Sequence, residues 1–74
     1  MWKEGSIKVE SAIYHYQAKV YDTPSKYGIN QGRISKLSVQ LDGQTVINYD
    51  RGWDKKPSTE AENAVLWIIL NSYN

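Results

Sequence analysis

The chain predicts an α+β domain: a four-stranded antiparallel sheet of two hairpins packed against one C-terminal helix, in the order ββββα. Three features predict it. Residues 13–22 alternate with a period of two, the mark of a strand with one buried face. Asp42-Gly43 lies between two further alternating runs and is the strongest short-range hairpin signal in the chain. Thr59 and Glu62 have capping-box spacing at the head of an apolar-rich segment. At 74 residues there is room for one core, so residues 1–74 form a single domain.

The elements follow in order. Gly5 to Glu10 reads as a short strand with Ile7 and Val9 on one face, and Ser11-Ala12 as a tight connection. In the next strand Tyr14, Tyr16, Ala18 and Val20 oppose His15, Gln17 and Lys19. Residues 23–32 form a long loop, a type of segment that is more often functional than a short one. Strand three runs from Arg33 to Leu41, with Leu37, Val39 and Leu41 on one side.

The turn after it decides the register. A two-residue Asp42-Gly43 loop faces Val39 with Val46, and a three-residue loop unites Leu37, Val39, Ile47 and Tyr49. The second is preferred because it gathers the apolar side chains. Asp50 to Pro57 is a charged connector around Trp53, and residues 60–71 are helical.

At 100° per residue, Ala61, Ala64, Val65, Ile68 and Ile69 make one helical stripe, while Leu66, Trp67 and Leu70 point away from its centre. One sheet does not readily cover both sets. Either the sheet curls round the helix, or the N-terminal segment with Trp2 covers the far side, or Leu66, Trp67 and Leu70 form an interface.

Catalytic chemistry has little to work with. There is no cysteine and a single histidine, His15, which a strand carries toward solvent; no cofactor or metal site is expected. Gly28 to Arg33 is glycine-rich but lacks phosphate-loop spacing. Asp22, Asp50 and Asp54 cap turns or pair with nearby cations, and no nucleophile, base and orienter occur as a set. An enzyme is not expected. Nine basic and eight acidic residues give a net charge of +1, which disfavours a broad nucleic-acid footprint. A local one remains, from Lys8, His15, Lys19, Arg33, Lys36, Ser38 and Gln40 on the solvent face. No apolar run is long enough for a membrane span and the first five residues are not a signal peptide, so the cytoplasm is the expected location.

The runs Tyr27-Gly28-Ile29-Asn30, Gly32 to Leu37 and Asn48 to Asp54 resemble a family of small uncharacterised proteins of Gram-positive bacteria and their phages. The resemblance implies a phage or prophage origin and carries over no catalytic residue. Both matching regions fall at one end of the proposed sheet. There an Arg33–Asp50 or Arg51–Asp54 ion pair would tie the loops, or Tyr27, Asn30, Arg33, Lys36, Arg51 and Trp53 would form a recognition surface. The leading expectation is a small interaction protein contacting a host protein or a second copy of itself as a homodimer. The alternative is a nucleic-acid-binding domain using the sheet face or loop end.

Overall fold

A computed structural model describes residues 1–74. The architecture is α+β with five strands rather than four: β1 (Trp2–Val9), β2 (Ala12–Val20), β3 (Ile34–Leu41), β4 (Gln44–Asp50), β5 (Trp53–Lys55) and α1 (Glu60–Tyr73). The strands form one antiparallel meander in sequence order, and α1 covers one face. The extra strand lies in the segment expected to be a connector. Arg51 in the left-handed region reverses the chain, and the Trp53 ring packs edge-on against Tyr49 with centroids 5.0 Å apart. Three residues are too few to display a period of two, so packing decides them.

The two expected hairpins, β1–β2 and β3–β4, each turn on two residues with positive φ. Asp42 (52°) and Gly43 (80°) make one turn; Glu10 (58°) and Ser11 (98°) make the other, one residue earlier than expected. This is the turn whose twist matches paired strands. The three-residue loop expected after Leu41 is therefore absent, yet Val39 still faces Ile47 and Leu37 faces Tyr49. A bulge between these pairs and the turn supplies the extra residue, setting Thr45 opposite Gln40 and leaving Val46 unpaired. Core burial fixes the grouping, and the bulge reconciles it with the tight turn.

The core is Tyr14, Ala18, Val20, Ile29, Ile34, Leu37, Val39, Ile47, Tyr49, Val65 and Ile69. Burying each of the larger aliphatic chains contributes about 1.5–3 kcal/mol. Ile29 reaches it from a 3-10 turn (Ile29–Gln31) inside the long loop. That loop folds back so tightly that a Cβ on Gly28 would collide with the Gly32 carbonyl oxygen, and one on Gly32 with the Asn74 side chain.

The helix is rotated from the expected stripe. Glu62, Val65 and Ile69 are buried, Ala61, Leu66, Leu70 and Tyr73 pack beside them, and Ala64, Trp67 and Ile68 face out. The larger volumes of Leu66, Leu70 and Tyr73 outweigh those of Ala64 and Ile68 at the sheet. The ends reinforce that rotation. Thr59 Oγ1 accepts the Glu62 N–H at 3.0 Å, and the Glu62 carboxylate accepts the Ser58 N–H at 2.7 Å. At the other end the Tyr73 and Tyr16 hydroxyls hydrogen-bond at 2.8 Å. Asn74 Oδ1 accepts the Ile34 N–H, and its Nδ2 donates to the Ile29 carbonyl. Trp2 does not cover the helix; it lies on the opposite face of the sheet, across from Lys19. No helix is long and apolar enough to cross a membrane.

Candidate functional site

Alternation along the strands sends Tyr14, Tyr16 and Ala18 to the helix and His15, Gln17 and Lys19 to the outer face. There His15 stands across from Gln40, Gln17 from Ser38, and Lys19 from Lys36. The outer face thus holds most of the polar set expected there. Arg33 does not join it. Its carbonyl accepts the Tyr21 N–H, and its side chain borders a separate cleft with Met1, Lys3, Asp22 and Tyr73.

At the loop end of this face is a cleft of about 350 Å³, lined by Lys19, Tyr21, Ser25, Tyr27, Ser35, Lys36 and Arg51. Each member is placed by local structure. Lys19 and Lys36 oppose each other on β2 and β3. Tyr21 continues the β2 alternation two residues beyond Lys19. Tyr27 is held by its own backbone: its N–H donates to Ser25 Oγ at 3.1 Å, and its carbonyl accepts the Tyr49 hydroxyl at 2.7 Å. Arg51 takes the left-handed conformation at the β4–β5 turn, and its N–H donates to the Ser35 carbonyl.

The electrostatics are one-sided. Lys19, Lys36 and Arg51 line the cleft, and Lys26 lies with its Nζ 5.2 Å from the centroid of the Tyr27 ring. The nearest counter-charge is Asp50, 3.8 Å from Lys36 Nζ and 3.9 Å from Arg51 Nε, with both contacts solvent-exposed. Lys19 Nζ lies 5.4 Å from the centroid of the Tyr21 ring. A hydrogen bond with Lys19 and its charge lower the Tyr21 pKa from its ordinary value of 10.0, with smaller help from Ser35 and Lys36. Lys36 also borders the adjoining cleft that contains Trp2, so Trp2, Lys36, Lys19, Tyr21 and Tyr27 belong to one continuous surface. Trp2, Tyr21 and Tyr27 are each about half exposed, at 59%, 45% and 53%.

Of the six residues expected at the recognition surface, Tyr27, Lys36 and Arg51 line this cleft. Asn30 is exposed in the 3-10 turn, and Trp53 is occupied in packing on Tyr49. Neither expected ion pair forms. Asp50 faces Lys36 across the strands, and Asp54 accepts a hydrogen bond from Asn48 Nδ2. Of the three expected interface residues, Leu66 and Leu70 turn inward, and only Trp67 is freely exposed, at 66%. Tyr21, Ser25 and Ser35 were not foreseen; of these only Tyr21 had a signal, its i, i+2 relation to Lys19.

One further pair has catalytic residue types: Ser6 Oγ and His15 Nδ1 are 2.8 Å apart on the outer face. Both side chains are exposed, and that contact is the only side-chain hydrogen bond His15 makes within the chain. A nucleophile and base without an orienting partner do not make a triad.

No curated protein and no solved structure matches this chain. A family model does match, over residues 1–74, and the chain belongs to the family of that domain of unknown function, DUF7678.

Proposed function

We propose that this protein is a non-enzymatic binding domain that holds single-stranded nucleic acid across the outer face of its sheet, at the loop end. The observation that carries this reading is the facing pair Lys19 and Lys36, flanked by Arg51 and by the exposed rings of Tyr21, Tyr27 and Trp2. Like charges directly opposite each other weaken a sheet, so the arrangement favours an anion between or above them. Cations that follow a phosphate backbone, interleaved with aromatic faces that stack on bases, make up the general chemistry of single-strand binding. Unpaired bases expose those stacking faces, whereas a duplex shields them. A net charge of +1 does not oppose the reading, because the cations cluster here against a single acid, Asp50.

The test is fluorescence anisotropy of a labelled oligothymidylate of about twenty nucleotides, longer than the ~4–16 nucleotides of common single-strand sites. A duplex of equal length is measured beside it. The single strand should bind more tightly, and its affinity should fall steeply with salt. Absence of binding at low salt, or a preference for duplex, removes the reading.

Trp67 and Ile68, exposed side by side on the outer face of α1, favour a second reading in which the domain docks a host protein through its helix. Trp67→Glu separates the two: it abolishes protein capture and leaves oligonucleotide binding intact. Either role suits an accessory protein of phage or prophage origin, the source implied by the sequence resemblance.

A further inference from the structure

The sheet has one long open edge. β1 pairs only with β2, through eight residues in unbroken register, with no bulge and no proline. The two-residue turn makes Val9 and Ala12 a hydrogen-bonded pair, and Met1 exchanges backbone hydrogen bonds with Val20 at the far end. Odd-numbered residues of β1 therefore direct their N–H and C=O groups at β2. Trp2, Glu4, Ser6 and Lys8 direct theirs outward, where a further strand could take them up.

We infer that this edge pairs with the β1 edge of a second copy, antiparallel and centred on Ser6, joining the two five-stranded sheets into one. The side-chain pattern selects both the partner and the register. With Ser6 facing its own copy, Glu4 of each chain stands opposite Lys8 of the other, on the outer face, twice per dimer. Glu4 and Lys8 have no ion-pair partner within the chain. On the helix side the same register puts the half-exposed Ile7 beside Gly5 of the other chain and extends the apolar strip at the edge. Shifting the centre to Gly5 instead sets Glu4 against Ser6 and Lys8 against Trp2, and both ion pairs are lost. A strand from an unrelated protein has no reason to supply the mirror pattern, whereas a second copy supplies it by symmetry. The two-fold axis stands perpendicular to the sheet, so both helices lie on one side and both outer faces merge on the other. The pairing does not depend on what the outer face binds.

Sedimentation velocity of the full chain, from low to high micromolar concentration, tests the inference with four variants. The wild type should form a dimer. Ser6→Pro removes the central outward N–H, which has no partner in the monomer, and should give a monomer with an unchanged circular dichroism spectrum. Glu4→Lys and Lys8→Glu each replace two attractive cross-strand pairs with repulsive ones and should weaken dimerisation roughly tenfold. The double variant E4K/K8E exchanges the charges and should restore it. A wild type that stays monomeric throughout overturns the inference. So does a dimer indifferent to Ser6→Pro, or a double variant no tighter than the singles.

Discussion

The hydroxyls of Tyr16 and Tyr73 meet at 2.8 Å, joining the middle of the second strand to the last turn of the helix. That bond, with burial and the nearby Tyr73 charge adding to it, pushes the Tyr16 pKa from 10.0 to about 12. In the unfolded chain the phenol ionises at its ordinary value, so between pH 10 and 12 the unfolded state carries fewer protons than the native state. Stability from this pair is complete below pH 10 and is lost as pH rises toward 12. Tyr73→Phe removes the partner and should flatten that part of the curve. Thermal melts of both proteins from pH 8 to 12 measure it; parallel curves would show that the pair does not control alkaline unfolding.

Asn74 makes two bonds that bind the chain end to the long loop and to β3, at the Ile29 carbonyl and the Ile34 N–H. Asn74→Ala leaves both backbone groups short of a partner in a partly buried setting. The expected cost is about 1–2 kcal/mol, within the range for losing hydrogen bonds of this kind. Amide exchange at Ile34 should quicken more than at Val39, whose place is set by strands on both sides. Equal acceleration at the two amides would mean that Asn74 acts on global stability rather than on the loop.

The two hairpin turns share a backbone but not a sequence. Asp42-Gly43 has the pair that tolerates positive φ, whereas Glu10 and Ser11 hold φ of 58° and 98° without a glycine. Such residues cost on the order of 1 kcal/mol each when held there. The double substitution Glu10→Asn with Ser11→Gly should stabilise the fold by about 1–2 kcal/mol in urea titration, with the m-value unchanged. A loss of stability would indicate that one of those side chains has a role the turn geometry does not require.

Val39 opposite Ile47 illustrates what the sequence made legible. The apolar alternation in β3 and β4 identifies which side chains must share a face, and they do. It does not say whether the turn or a bulge absorbs the odd residue, since both routes bury the same groups. The helix shows the complementary limit. Its capping residues Thr59 and Glu62 are readable locally, but the face it buries ends on Tyr73 bonded to Tyr16, a contact across almost the whole chain. The cleft was half legible for the same reason. Lys36 is readable from the alternation of β3, and Tyr27 and Arg51 from the runs that carry the family resemblance, while Ser25 and Ser35 join them only once the loop folds back along β3.

Lys19 and Lys36 give the last prediction, because a like-charged cross-strand pair should cost stability and serve binding together. Asp50 offsets only part of the repulsion, from the Lys36 side and through an exposed contact. Lys19→Thr removes the repulsion and puts a strand-favouring residue in its place. At low salt a gain of about 0.5 kcal/mol should raise the midpoint by about 2–4 °C in a domain of this size. The Tyr21 hydroxyl, no longer beside an ammonium, should titrate closer to its ordinary value of 10.0. Oligothymidylate affinity should fall about fivefold or more, with a shallower salt dependence, since one phosphate contact is lost. Higher stability with weaker binding is the signature of a charge pair kept for a ligand. A variant with unchanged affinity would place the nucleic acid elsewhere, and one that melts lower would show that the contact of the Lys19 ammonium with the Tyr21 ring outweighs the repulsion.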